Sequence, residues 1–117
     1  MAHTQLAGRQ AEDAACHYLE RRGLRLVARN YRCRRGEIDL IMEDRDNLVF
    51  IEVRYRRTLR FGGGAESVDR RKQARIIACA SYYLQQHPDL AARPARFDVV
   101  AITAGGKVSW IPDAFRT

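Results

Sequence analysis

Gly36-Glu37-Ile38-Asp39-Leu40-Ile41-Met42, then Asp44-Arg45-Asp46-Asn47, then Leu48-Val49-Phe50-Ile51-Glu52-Val53-Arg54-Tyr55-Arg56 is the stretch that decides how this chain is organised. Two runs rich in Ile, Val, Phe and Tyr bracket four polar, turn-forming residues, a pattern that predicts a β-hairpin. Both runs carry acids inside the predicted strands. Side chains two apart share a strand face, so Glu37 and Asp39 point together, as do Phe50, Glu52, Arg54 and Arg56, while Ile51 and Val53 supply the opposite face. With Glu43 opposite Leu48, the register sets Asp39 across from Glu52 and Glu37 across from Arg54, at Cβ separations of about 4.5–5.5 Å. Two carboxylates at that distance repel unless one takes a proton or a cation lies between them, and a hard, oxygen-seeking ion such as Mg²⁺ or Mn²⁺ suits the donors. The alternative is a cross-strand Glu37–Arg54 salt bridge with Asp39 and Glu52 merely solvated, and a one-residue slip would send the two acids to opposite faces. Strong β-formers around acids on both strands, beside a basic tract, favour the metal site.

Toward the N-terminus, Ala7, Ala11, Ala14, Ala15, Tyr18 and Leu19 recur at helical spacing within residues 6–22, and Gly23 ends that helix. Residues 24–31 then alternate as a strand, with Leu24, Leu26 and Ala28 on one side, and residues 32–36 form a basic turn. Toward the C-terminus, Gly62-Gly63-Gly64 interrupts the pattern. Ser67 is placed to cap a second helix, with Asp69 in its first turn, running to Gln86. His87-Pro88 stops it, residues 96–102 read as a buried strand, and residues 107–111 as a short final one. The order αβββαββ predicts an α/β fold with a mixed central sheet flanked by helices, because the second helix must cross a sheet face before the next strand can pair.

The chain has 117 residues, so residues 1–117 are read as one domain, and its 46% apolar content supports a core and excludes intrinsic disorder. Lys and Arg number 21 against 14 Asp and Glu, a net charge of +7, and Lys72 and Lys107 are the only lysines. Arginine's planar fork matches phosphate oxygens, which favours a polyanionic partner, although a genome rich in G and C produces the same bias. Cys16, Cys33 and Cys79 fit neither a disulfide framework nor zinc-ligand spacing, which points to a reducing cytoplasm. No export signal or membrane-length apolar run is present, so no membrane partner is expected. His3, His17 and His87 lack partners at ligand spacing and are assigned surface or capping roles. Trp110 and Phe115 are expected to close the core or an interface, and Asp98 to pair with Arg96.

Several separated motifs together resemble the bacterial UPF0102 (YraN-like) family over nearly the whole chain. They are Gly36-Glu37-Ile38-Asp39-Leu40-Ile41, residues 49–56, Phe61-Gly62-Gly63, Lys72-Gln73, and Arg96-Phe97-Asp98-Val99-Val100. That family is similar to archaeal Holliday junction resolvases of the restriction-endonuclease-like superfamily. The resemblance implies that fold, hydrolysis of DNA phosphodiesters at branched structures with Mg²⁺ or Mn²⁺, and a homodimer. It implies metal ligation by Glu12, Asp39, Glu52 and the Val53 carbonyl. The superfamily signature ends in a lysine, and this chain has Arg54 there. Arginine binds phosphate but stays protonated and cannot act as a base. Lys72, at the start of the second helix, is the candidate to replace that lysine beside the catalytic Asp39, Glu52 and Arg54. Arg54, Arg56, Arg57 and Arg60, interleaved with Tyr55 and Phe61, are the expected nucleic-acid contacts. Two rival readings are a non-catalytic nucleic-acid-binding module, supported by Arg54, and a small basic protein docking on structured RNA.

Overall fold

The computed structural model describes the backbone of residues 2–56 and 68–117, and side chains from residue 8 onward. The elements are α1 (Ala2–Glu20), β1 (Arg25–Cys33), β2 (Gly36–Asp44), β3 (Asn47–Arg56), α2 (Arg70–Gln86), α3 (Pro88–Ala91), β4 (Ala95–Thr103) and β5 (Val108–Phe115). The expected order is present, with α3 as one extra turn nucleated by Pro88 at its first position, where proline's fixed φ suits a helix start. The strands form one sheet in chain order. β1, β2 and β3 are an antiparallel meander, β3 and β4 are parallel, and β4 and β5 are antiparallel. A parallel pair needs a crossover, and α2 supplies it.

Each face of the sheet has its own core. Ala11, Ala15 and Leu19 of α1 pack with Leu40, Met42, Val49, Ile51 and Val100. Ile76, Cys79, Ala80 and Tyr83 of α2 pack with Ile38, Ile41, Phe50, Phe97 and Val99 on the other face. A mixed sheet between helices in the order αβββαββ is compatible with a restriction-endonuclease-like fold. Among the described residues no helix is long and apolar enough to cross a membrane.

Local chemistry explains where the expected boundaries move. Ala14 falls on the solvent side of α1, away from the Ala11, Ala15, Leu19 stripe. In β1 the register shifts between Leu26 and Ala28, so the simple alternation breaks. Leu24 joins the α1 core, Ala28 packs toward the α2 core, and Leu26 is 40% exposed. The β2–β3 hairpin closes more tightly than expected, because Asp44 pairs with Asn47 and only Arg45 and Asp46 turn, Arg45 at φ +57°. Asp69 is the N-cap of α2, its Oδ1 accepting from the Lys72 N–H at 2.8 Å, and Ser67 lies outside the described residues. β5 continues past Ile111 to Phe115. Pro112 is tolerated there because β5 is an edge strand, with an N–H side that needs no partner, and Phe115 stacks on Phe97 at 5.1 Å.

Gly23 ends α1 at φ +95°, its N–H donating to Glu20 O while Leu24 N–H reaches Leu19 O. No atom lies within 4 Å of a Cβ built at Gly23. Gly23→Ala is therefore expected to cost only the left-handed backbone penalty, about 1 kcal/mol, read as a small fall in Tm with no change in the far-UV spectrum.

Candidate metal centre at a fork in the sheet

β2 and β3 pair in the expected register from Asp44–Asn47 to Leu40–Ile51, and there the ladder ends. The next rung would set Asp39 against Glu52, where two carboxylates would repel. Instead the Asp39 carboxylate takes a place in the ladder, its Oδ2 accepting the Val53 N–H at 2.8 Å. The phase of β2 changes at the same point. Ile38 faces the α2 core with Ile41, whereas Leu40 and Met42 face α1, so the strand does not keep a simple alternation through this point.

Three carboxylates meet at this fork. Glu12 on α1 and Glu37 and Asp39 on β2 each present one oxygen, all within 4.8 Å of one another. Asn30 ties two of them together, its Nδ2 donating to Glu12 Oε1 at 3.0 Å and Glu37 Oε1 at 3.1 Å. Asn30 sits at φ +51°, a conformation asparagine tolerates far better than most residues. Arg32 lies 3.4 Å from Glu37, and Arg29 lies 3.8 Å from Glu12 and 2.6 Å from Asp13. Burial pushes the Asp39 carboxyl up to about 8, with the charge of Glu52 adding to the rise and the Val53 N–H opposing it.

Glu52 is 4% exposed, and its Oε2 is shared by Lys72 Nζ at 3.2 Å and Arg54 Nη1 at 3.4 Å. A buried carboxylate is costly without partners, and two cations at one oxygen supply them. Of the expected ligands, the structure thus brings Glu12 and Asp39 together, leaves Glu52 outside their cluster with Lys72 and Arg54, so that the expected Asp39–Glu52 pairing does not form, and brings in Val53 through its N–H. Glu37 and Asn30 join the cluster without having been expected there. The expected Glu37–Arg54 rung, and with it the salt bridge of the alternative reading, is absent among the described residues, because the ladder stops before it. Lys72 comes from the first turn of α2, as Asp69 fixes the start of that helix. Arg56 is half-buried at the end of β3, and Arg57, Arg60 and the Gly62-Gly63-Gly64 triplet lie outside the described residues.

A second acid has a structural role. Asp98, fully buried in β4, accepts from Arg96 Nε at 3.0 Å, Trp110 Nε1 at 2.9 Å and the Asp113 N–H at 2.9 Å. Arg96 also reaches Asp44 at 2.9 Å, so the Arg96–Asp98 pair ties β4 to β5 and to the β2–β3 turn. His87 caps α2 and stacks on Tyr83, the capping role expected of it.

A mixed αβββαββ sheet whose central strands part around clustered acids, with a lysine and an arginine against one neighbouring carboxylate, defines the class: an α/β protein with an acidic centre at the sheet fork. The chain belongs to the family described as "Uncharacterised protein family UPF0102", whose model matches residues 11–102. It is 59% identical over 112 residues to a UPF0102 protein of Nitrosococcus oceani, covering 93% of this chain and 90% of that one. It is 51% identical over 120 residues to one of Stutzerimonas stutzeri, covering 100% of both, and 50% identical over 115 residues to one of Pseudomonas savastanoi pv. phaseolicola, covering 95% and 94%.

Proposed function

We propose that this protein is a Mg²⁺- or Mn²⁺-dependent endonuclease that hydrolyses DNA phosphodiesters, with a preference for branched structures, in a reducing cytoplasm. The observation that carries the reading is the meeting of Glu12, Glu37 and Asp39 oxygens within 4.8 Å. Opposite oxygens of an octahedral Mg²⁺ stand about 4.2 Å apart and adjacent ones about 3.0 Å, so these donors would have to draw inward to share one ion. The all-oxygen donor set also suits a hard cation. Glu12, Glu37 and Asp39 would hold it, with Glu52 and the Val53 carbonyl as further donors from the resemblance. Such an ion would supply neutralisation of phosphate charge and activation of a water nucleophile.

The chain's own residues account for the rest. Asn30 holds Glu12 and Glu37 in place, as an outer hydrogen-bond partner orients ligating carboxylates. Glu52 fixes the positions of Lys72 and Arg54 at the edge of the acidic centre. From there both cations face the charge that develops on a phosphate during displacement, and Lys72 takes the place of the signature lysine that Arg54 cannot replace as a base. Glu52's engagement with two cations also favours a second reading: a nucleic-acid-binding protein of the same fold that has lost the chemistry.

The readings separate with labelled duplex, single-stranded and four-way-junction DNA incubated with Mg²⁺, Mn²⁺ or chelator. The endonuclease predicts cleavage abolished by chelator, by Asp39→Ala and by Glu52→Ala, and lowered about 10²–10³-fold by Lys72→Ala. Unchanged cleavage in Lys72→Ala sinks the migrated-lysine role. Salt-sensitive binding without cutting supports the second reading, and preference for structured RNA overturns a DNA substrate. Sedimentation of the same samples tests the homodimer.

A further inference from the structure

We propose that Cys33 and Cys79 form a hydroperoxide-reactive dithiol, which closes to a disulfide joining the β1–β2 turn to α2. This does not depend on the endonuclease reading. Cys33 is the last residue of β1 and pairs with Gly36 across the turn. α2 lies directly over that turn, so closely that a Cβ on Gly36 would meet the Arg75 Cβ at 3.4 Å. One helical turn beyond Arg75, Cys79 points at the same place, its Sγ donating to Gly36 O at 3.7 Å. Gly36, the partner of Cys33 across the turn, is thus also the residue that the Cys79 thiol touches. The third cysteine, Cys16, is buried in the core on the opposite face of the sheet.

The two sulfurs are unequal in a way that assigns their roles. Cys33 is half-buried and opens into a pocket of about 580 Å³ that Arg32, Arg34, Arg35 and Tyr82 also line, so a small oxidant can reach it. Cys79 is fully buried. The Arg35 N–H donates to Cys33 Sγ at 3.3 Å. Burial alone would raise the Cys33 thiol, but the neighbouring Cys79 thiol and the Arg35 and Gly36 backbone, with the Arg35 charge, bring it below the ordinary value. Burial holds Cys79 above it. Thiolate character and access together select the attacking sulfur.

The Cys33 thiolate attacks the terminal oxygen of a hydroperoxide. The O–O bond breaks, the alcohol leaves after taking a proton, and Cys33 becomes a sulfenic acid, oxidised by two electrons. Cys79 sulfur then attacks Cys33 sulfur, the S–O bond breaks, and the departing hydroxide leaves as water with the Cys79 proton. The net change is two thiols and one hydroperoxide to one disulfide, one alcohol and one water. The bond links the hairpin that carries Glu37 and Asp39 to the helix that carries Lys72.

Fully reduced protein is treated with a slight excess of hydrogen peroxide and followed by intact mass and peptide mapping. The expected result is the loss of two hydrogens, with Cys33 and Cys79 in one cross-linked peptide and Cys16 still alkylatable. Cys79→Ala is expected to stop at a sulfenic acid on Cys33 that dimedone traps, and Cys33→Ser to give no cross-link. Brief iodoacetamide treatment of the reduced native protein, which needs no variant, is expected to label Cys33 first. First labelling of Cys79 or Cys16, a disulfide between two copies of the chain, or survival of both thiols would each overturn the proposal.

Discussion

Asp39→Asn is expected to remove most of the loss of stability that the parent protein suffers as pH rises from about 4 to about 8. The Asp39 carboxyl is raised from 3.8 to about 8 in the folded protein, first by burial and then by the neighbouring Glu52 charge. Between those values the folded chain keeps a proton that the unfolded chain has released. Stability from this group is therefore complete below the unfolded value and falls as pH rises toward the folded one. At 1.36 kcal/mol per unit the effect has an upper bound of roughly 6 kcal/mol, a large part of the 5–15 kcal/mol that holds a typical domain together. Asparagine stays neutral at every pH and can still accept the Val53 N–H. Glu43 and Asp113 are held below the ordinary carboxylate range by arginines and contribute the opposite slope at low pH, so the difference between parent and variant is the informative quantity. Denaturant midpoints across this range check it. Equal slopes in the two proteins would mean that Asp39 ionises normally and that the fork is more open to water than its geometry implies. Under the proposed function, loss of the same proton frees the carboxylate for a divalent cation, so stabilisation by Mn²⁺ should grow with pH up to about 8 in the parent and vanish in Asp39→Asn.

Asp98→Ala is expected to destabilise the protein by about 3–5 kcal/mol, because removing one partner of a buried ion pair strands the other. The Arg96 guanidinium would keep only Asp44, while the Trp110 indole N–H and the Asp113 N–H would lose their acceptor. The damage falls where β4 and β5 shift register between Phe97 and Val99, a segment that Asp98 joins through side-chain bonds in place of regular ladder bonds. Trp110→Phe removes one donor together with its need for an acceptor and should cost only about 1 kcal/mol. Thermal unfolding by circular dichroism distinguishes the two. Similar small shifts in both would show that Asp98 is not the tie between these strands.

Much of the fold was legible because its periodicities are strong and local. Ala11, Ala15 and Leu19 at helical spacing, the apolar density of residues 48–56 and the Gly23 stop each depend on only a few neighbouring residues. The misplacements within the strands came from backbone irregularity. The shift at Leu26–Ala28 and the phase change around Asp39 leave the apolar content of a strand untouched while moving residues to the other face, and a period-two pattern carries no sign of that. The candidate site divides in the same way. Asp39 and Glu52 stand out because acids interrupt strong β-formers. Asn30 gave only the weak signal of an asparagine within a strand, and Glu37 reads equally well as half of a salt bridge.

From the residues alone came the hairpin register, the succession of helices and strands, and the acids brought near one another at its open end, since side-chain alternation and turn chemistry act over a few residues. Where the ladder would stop, which cations would neutralise Glu52, and that Glu12 from one helix would meet Glu37 and Asp39 were settled by the packing of α1 and α2 on opposite faces. Those contacts join residues far apart in the chain, and they depend on how repulsion and burial are balanced once the sheet has closed.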